Sequence, residues 1–302
     1  MKIAIAGGTG LVGKALTNTL IKHGHEVYIL TRNVKTNNSS SKITYVSWLN
    51  SGDYPEESLK NVDAFINLAG ESINSGRWTE KRKERIKNSR IQATNEVIRI
   101  MTALPNKPKV LINASAIGFY GTSYSETFTE DSVTPGHDFL ASTVKDWEKT
   151  ARKAESLGVR TVLARFGIIL DRNEGALPKL LIPYKLFAGG NLGTGEQWMS
   201  WIHIDDVVHG LIYCLQTNNM EGPVNFVSPQ PLKMKEFGLT LGRVLQRPHW
   251  FPTPALPIKL ALGEMSLLIL EGQKVLPTKL HDYHFLFPTL EKALKNILQN
   301  ET

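Results

Sequence analysis

Three glycines spaced by three, Gly7, Gly10 and Gly13, follow an apolar run at residues 2–6 and open a helical pattern at 11–23. Few short patterns restrict a fold so tightly. Each glycine has a separate physical reason in a strand that turns sharply into a helix beneath a pyrophosphate. Gly7 permits the tight turn, Gly10 lets the backbone approach the phosphates, and Gly13 lets the helix pack on the sheet. The helix N-terminus then offers unpaired N–H groups and a positive dipole end to the anion. Gly7-Gly8-Thr9-Gly10-Leu11-Val12-Gly13 therefore predicts a dinucleotide site whose first contacts are Gly7, Thr9, Gly10, Leu11, Val12 and Gly13. A secretory signal would continue as an apolar core. This run passes straight into glycine, so it reads as a buried strand.

Apolar runs of strand length recur at 25–31, 43–48, 62–68, 110–114 and 161–166. Helical patterns alternate with them, the longest at 79–103 and 138–157. Such alternation predicts an α/β fold, a Rossmann-type doubly wound parallel sheet. Buried parallel strands read as near-continuous apolar segments, as these do. The pattern changes after Arg247, where Pro248-His249-Trp250-Phe251-Pro252-Thr253-Pro254 leads into mostly helical sequence. The expected division is a cofactor-binding domain at 1–247, with substrate-side segments within 170–247, and a small, mainly helical C-terminal unit at 248–302.

The second strand ends in Thr31-Arg32-Asn33, with Arg32 19 positions past Gly13. An NAD site places an acidic residue at about this point, to accept hydrogen bonds from the ribose 2′-hydroxyl. A guanidinium there pairs instead with a 2′-phosphate. The expected cofactor is NADP(H). The competing reading is an arginine that points to solvent while another group selects. Leu68-Ala69-Gly70 follows the next core strand, and its small residues leave room for a cofactor to cross the sheet edge, although ordinary loop glycine usage gives the same letters.

Composition excludes other classes. No segment has the roughly 18–20 continuous apolar residues needed to span a bilayer. The single cysteine, Cys214, sits in a helical apolar pattern and rules out an internal disulfide or a Cys-rich metal site. No metal is expected, and the cysteine usage suits the cytoplasm. The net charge of +7 invites a nucleic-acid reading, but the densest basic run, Lys81-Arg82-Lys83-Glu84-Arg85-Ile86-Lys87, carries a glutamate and has helical spacing. It reads as a solvated helix face. A basic surface also suits small anionic substrates.

The glycine segment, together with Asn67-Leu68-Ala69-Gly70-Glu71 and Ala114-Ser115-Ala116-Ile117-Gly118-Phe119-Tyr120-Gly121, resembles the extended short-chain dehydrogenase/reductases. Arg77-Trp78-Thr79, Ala164-Arg165-Phe166-Gly167, Gly189-Gly190-Asn191-Leu192-Gly193-Thr194-Gly195 and Gln197-Trp198-Met199-Ser200-Trp201-Ile202-His203-Ile204-Asp205-Asp206 narrow this. They resemble an atypical branch usually labelled "epimerase family", with a C-terminal domain of unknown function. The resemblance covers essentially the whole chain and implies a homodimer joined through the two long helices.

The resemblance also implies a catalytic Tyr with a Lys four residues later on one helix, and this chain departs from it. Anchoring on Glu148 puts Leu140 at the tyrosine position and Val144 at the lysine position. Lys145 is one residue out of register, about 100° round the helix. Ser115 corresponds to the residue that binds the reacting oxygen. A replacement general acid must reach that oxygen, and the candidates are Tyr120 first, Glu71 second and His203 third. Arg77, Trp78, Arg165, Lys179, Gln197, Trp198 and His203 are the expected substrate-binding residues. The guanidinium and ammonium groups suit a phosphate or carboxylate, and tryptophan suits a base or sugar face. Two functions remain open. One is an oxidoreductase or epimerase-like enzyme acting on a small polar, nucleotide-sugar-like substrate. The other is a dinucleotide sensor that has lost its catalytic pair.

Overall fold

The structure, a computed structural model, describes residues 1–34 and 42–299. The chain enters as β1 (Lys2–Ala6), α1 (Leu11–Lys22), β2 (Glu26–Thr31), β3 (Ile43–Ser47), β4 (Ala64–Asn67), α2 (Glu80–Ala103) and β5 (Val110–Ala116). It continues through β6 (Thr127–Phe128), α3 (Phe139–Ala151), β7 (Arg160–Phe166), β8 (Ile168–Leu170), α4 (Leu177–Lys185), β9 (Trp198–Met199), β10 (Trp201–His203), α5 (Ile204–Gln216) and β11 (Gly222–Phe226). The last elements are β12 (Leu232–Lys233), α6 (Met234–Leu245), α7 (Ala255–Leu262), α8 (Leu267–Leu270), β13 (Lys274–Val275) and α9 (Leu290–Gln299).

Seven strands form one sheet in the order β11-β7-β5-β4-β1-β2-β3, and every pair in it is parallel. The chain winds outward from β1 in one direction and then from β4 in the other, so a topological switch point lies between these two strands. In open sheets of this kind the crevice beyond the carboxyl ends of the strands at that point receives the ligand.

Strand alternation divides the core into two layers. Ile3 and Ile5 of β1 pack with Leu16 and Leu20 of α1 and with Val207 and Leu211 of α5. Ala4 and Ala6 face the opposite side, with Val97, Ile100 and Met101 of α2. Cys214 is fully buried in the first layer, and burial pushes its thiol up to about 12. It is therefore an inert thiol at neutral pH.

The C-terminal segment is fastened to this body by two buried carboxylates. Glu130 accepts from the backbone N–H of Asn225, Thr278 and Lys279 and from the Thr278 hydroxyl. Asp206 accepts from the backbone N–H of Leu286 and Phe287 at 2.7 and 3.0 Å. β13 adds a parallel pairing to β6, and Leu290, Ala293 and Leu294 of α9 share a core with Phe237 and Leu241 of α6. Hydrogen bonds to charged acceptors contribute about 1.5–3 kcal/mol each, so the segment is held as part of the body. Among the described residues no helix is long and apolar enough to cross a membrane.

Candidate functional site

A cleft of about 480 Å3 opens at the carboxyl edge of β1, β4 and β5. The glycine loop forms one wall. Gly7 has φ +78°, and a Cβ there would lie 2.7 Å from the Leu68 carbonyl group. A Cβ on Gly13 would lie 2.3 Å from the Gly7 oxygen. A Cβ on Gly10 meets nothing nearer than that oxygen at 3.4 Å, so the space above Gly10 is open. The cradle therefore has the shape that a pyrophosphate requires: closed beneath and bare on top.

Asn67 shapes the next part. Its Nδ2 donates to Thr94 Oγ1 and to Asn113 Oδ1, and its Oδ1 accepts from Ala69 N–H at 3.2 Å. This buried side chain folds Leu68-Ala69-Gly70 across the edge of the sheet. Gly7, Gly10 and Leu68 also border a second compartment of about 720 Å3, in which Thr9, Arg32, Ala69 and Arg85 lie. Arg32 is exposed there. The two compartments meet over the glycine loop, as the halves of an extended dinucleotide demand.

On the other side of the cleft stand Ser115, from the end of β5, and Leu140, Thr143 and Val144 from α3. Leu140 and Val144 thus occupy the cleft wall at the two helix positions implied for Tyr and Lys. The Ser115 hydroxyl donates to Glu148 Oε1 at 2.6 Å. A serine has a single O–H, so what Ser115 presents to the cleft is an acceptor. Thr143 is 3 % exposed and its Oγ1 has no partner. Its hydroxyl is a buried, unsatisfied donor on a residue that lines the cleft, and sequence reasoning passed over it.

The remaining expected residues are placed differently. Tyr120 lies in a 3-10 turn beyond β5, not at the strand end, and is 4 % exposed. Its hydroxyl donates to Asn225 Oδ1 at 2.8 Å and accepts from Arg165 Nη1 at 2.9 Å. Burial pushes the Tyr120 phenol up, against the opposing pull of Arg165. It does not line the cleft, so the expectation of Tyr120 as acid is corrected: both hydrogen-bonding directions of its oxygen are already filled. Arg165 is likewise buried, with Nε and Nη2 on the Glu148 carboxylate at 2.7 and 2.8 Å and its guanidinium 3.7 Å over the Phe119 ring. Glu71 does face both compartments, but Arg82 and Arg85 hold its carboxylate in ion pairs.

Most of the proposed substrate contacts are also structural. Arg77 donates to the carbonyls of Ala261 and Leu260 and so caps α7. Trp78 is buried edge-on against Phe139, its indole N–H on the Ile73 carbonyl. Lys179 Nζ reaches the Asn74 carbonyl at 3.1 Å. Gln197 is 1 % exposed and joins the carbonyls of Leu192 and Ile269. His203 caps α5, its Nδ1 accepting from Asp205 N–H at 3.0 Å, with its ring 3.9 Å from that of Phe287. Burial lowers its pKa, so the ring is neutral at pH 7 and serves as a cap. Only Trp198 of this group lines the cleft. Sequence reasoning also missed the far wall, Leu267, Leu268, Glu271 and Gln273, supplied by α8 and the turn after it.

Comparison with known proteins agrees with this fold. The model of the NAD dependent epimerase/dehydratase family matches residues 3–227, and that of a domain of unknown function, DUF1731, matches residues 253–297. Epimerase family protein YfhF of Bacillus subtilis (strain 168) is 49% identical over 300 residues, covering 99% of this chain and 98% of its own. The crystal structure of human epimerase family protein SDR39U1 (isoform2) with NADPH superposes with a TM-score of 0.87 at 32% identity, with 100% of both chains covered. UDP-glucuronic acid 4-epimerase from Bacillus cereus, solved with UDP-glucuronic acid and NAD, gives a TM-score of 0.79 over 98% of each chain. At 16% identity that likeness speaks for the fold alone.

Proposed function

The chain belongs to the NAD-dependent epimerase/dehydratase family of extended short-chain dehydrogenase/reductases, and we propose that it is an NADP(H)-dependent oxidoreductase interconverting a carbonyl and its alcohol. The observation that carries this reading is the two-part cleft, with Arg32 in one compartment and Ser115 and Thr143 in the other. Residues 1–247 hold the cofactor in this reading, and 248–302 close the substrate side.

Bound over the glycine loop, the cofactor supplies or accepts the hydride. The chain does the rest. Arg32 offers its guanidinium to a 2′-phosphate, and no acid stands beside it in Thr31-Arg32-Asn33 to repel that group. The relative solved with NADPH supports the choice. With Leu140 and Val144 at the usual proton-relay positions, the unpartnered Thr143 hydroxyl donates to the reacting oxygen and stabilises the charge that develops there. Ser115 accepts from the substrate and orients it. Water in the cleft supplies the proton that the oxygen keeps.

Two measurements test the reading. In the first, Arg32→Asp weakens NADPH binding about 100-fold, because a charged hydrogen bond worth up to about 3 kcal/mol is replaced by repulsion. NADH binding changes far less. Equal losses for the two cofactors in parallel fluorescence titrations exclude Arg32 as selector. In the second, deuterium transfer from stereospecifically labelled NADPH is followed with a carbonyl substrate. Thr143→Val slows transfer about 100-fold, the usual cost of one oxyanion donor. Tyr120→Phe leaves transfer unchanged and lowers stability, because Asn225 and Arg165 each lose a partner. Apolar side chains at positions 140 and 144 favour a second reading, a dinucleotide sensor. Label that stays on the cofactor in the presence of metabolite extracts supports that reading and rejects the oxidoreductase.

A further inference from the structure

Two further cavities lie behind the C-terminal wall of the cleft. Ile168 and Leu268, which line it, also line a cavity of about 160 Å3. That cavity in turn shares Leu180, Leu192, Met234, Leu262 and Ile269 with a third space of about 430 Å3. The three spaces adjoin in series between the sheet domain and helices α7 and α8. The inner walls are nearly all apolar. Met199, Met234 and Met265 line the smaller cavity, and unbranched thioether side chains adapt to guests of variable shape. Phe237, Leu241 and Ile258 line the larger. The few polar groups are already engaged. Lys179 is bonded to the Asn74 carbonyl, and the Tyr184 hydroxyl to the Gly238 carbonyl and His249.

A nucleotide-sugar would bring a second pyrophosphate and need cations to receive it. Among the described residues Arg90 is the one arginine or lysine lining the cleft. It sits at the cofactor end, 3.3 Å from the Cβ position of Gly70. Arg77 and Arg165 are committed elsewhere. Lys83 and Lys259 line an adjoining cavity that also contains Glu264 and Glu271, and Lys83 is ion-paired to Glu264. The charge balance is wrong for a diphosphate and neutral enough for a hydrocarbon.

We infer that the substrate carries an unbranched aliphatic chain, which passes Ile168 and Leu268 and lies in the apolar cavities while its oxidised carbon sits beside Ser115 and Thr143. The position of the reacting end rests on the oxidoreductase reading; the place of the tail rests on the cavities.

Straight-chain 2-ketones of about four to twelve carbons test it. Binding to the full-length protein is measured by quenching of intrinsic tryptophan fluorescence, with and without NADPH, and UDP-glucose serves as the competing probe. Affinity rises about fourfold per added methylene until the cavities are filled. Leu262→Trp and Leu180→Trp, each of which obstructs the passage, end that rise at shorter chains and leave NADPH affinity unchanged. NADPH affinity and melting temperature show that each variant is folded, and one folded variant suffices. A flat chain-length series in the wild-type protein overturns the inference, as does UDP-glucose binding more tightly than every ketone. If NADPH fails to bind while the series rises, the oxidoreductase reading falls and the aliphatic site stands. If NADPH binds and the series is flat, the reverse holds.

Discussion

Gly10→Ala weakens NADPH binding by roughly 100-fold and leaves the fold intact, whereas Gly13→Ala damages both. The difference follows from what each added methyl meets. Gly10 caps α1 with φ −80° and ψ 178°, a conformation open to any residue, and its Cβ would touch only the Gly7 oxygen at an ordinary 3.4 Å. The apo protein accommodates alanine there with a change of a few tenths of a kcal/mol up to about 1 kcal/mol. The methyl instead occupies the space into which a pyrophosphate must settle. Overpacking of that kind costs up to about 3 kcal/mol, or roughly 100-fold in affinity. The Gly13 methyl would sit 2.3 Å from the Gly7 oxygen and 2.6 Å from the Gly8 Cα. These are backbone atoms, so the loop or the helix must move. Titration with NADPH alongside thermal melting separates the two outcomes. An intact affinity in Gly10→Ala removes the glycine loop as the cofactor cradle; an unchanged melting temperature in Gly13→Ala shows that helix and loop can part at little cost.

That loop was legible because its information is local. Strand, turn and helix occupy 21 consecutive residues, and each glycine answers a steric demand made by a neighbour in the chain or on the next strand. The parallel sheet was legible for a similar reason, since its strands are apolar runs. The positions of Leu140 and Val144 followed from helical spacing back from Glu148, and α3 sets both on the cleft wall. What the sequence hid is direction. The run from Gln197 to His203 has the residue types of a ligand pocket, yet Gln197, Trp201 and His203 are buried at 1 %, 0 % and 2 % exposure and hold loops and a helix cap together. Polar and aromatic side chains serve a buried hydrogen-bond network and a ligand equally well, and period alone cannot tell which way a short strand faces. Arg77 is committed to carbonyls more than 180 positions away. Tyr120 turned away because β5 ends at Ala116 and a tight turn redirects the chain. Thr143 carried no signal at all. Its importance lies in a hydrogen bond that is missing, and only coordinates reveal that.

The same network sets the second large effect, which falls on stability and not on the cofactor. Glu148→Leu destabilises the protein by about 3–5 kcal/mol, the cost of leaving a buried charge without its partner. Arg165 is 2 % exposed and has its two strongest bonds on Glu148, while Ser115 loses the acceptor for its only proton. At about 2–4 °C per kcal/mol for a chain of this class, the melting temperature falls by roughly 10 °C. The double variant Glu148→Leu/Arg165→Leu recovers part of that loss, because an ion pair replaced whole by apolar side chains leaves no orphan charge. Recovery is incomplete, since Tyr120 and Phe119 still lose the guanidinium between them. Chemical denaturation of the two variants gives the coupling directly. A single variant as stable as the double, or one within about 1 kcal/mol of wild type, contradicts a buried ion pair at this position. The arrangement also bears on the site. With Glu148 gone, the Ser115 proton is free to turn into the cleft, and a wall hydroxyl that now only accepts becomes a donor. The destabilised Glu148→Leu protein therefore shifts its affinity towards carbonyl compounds and away from alcohols relative to wild type, measured as the ratio of their dissociation constants below the melting transition.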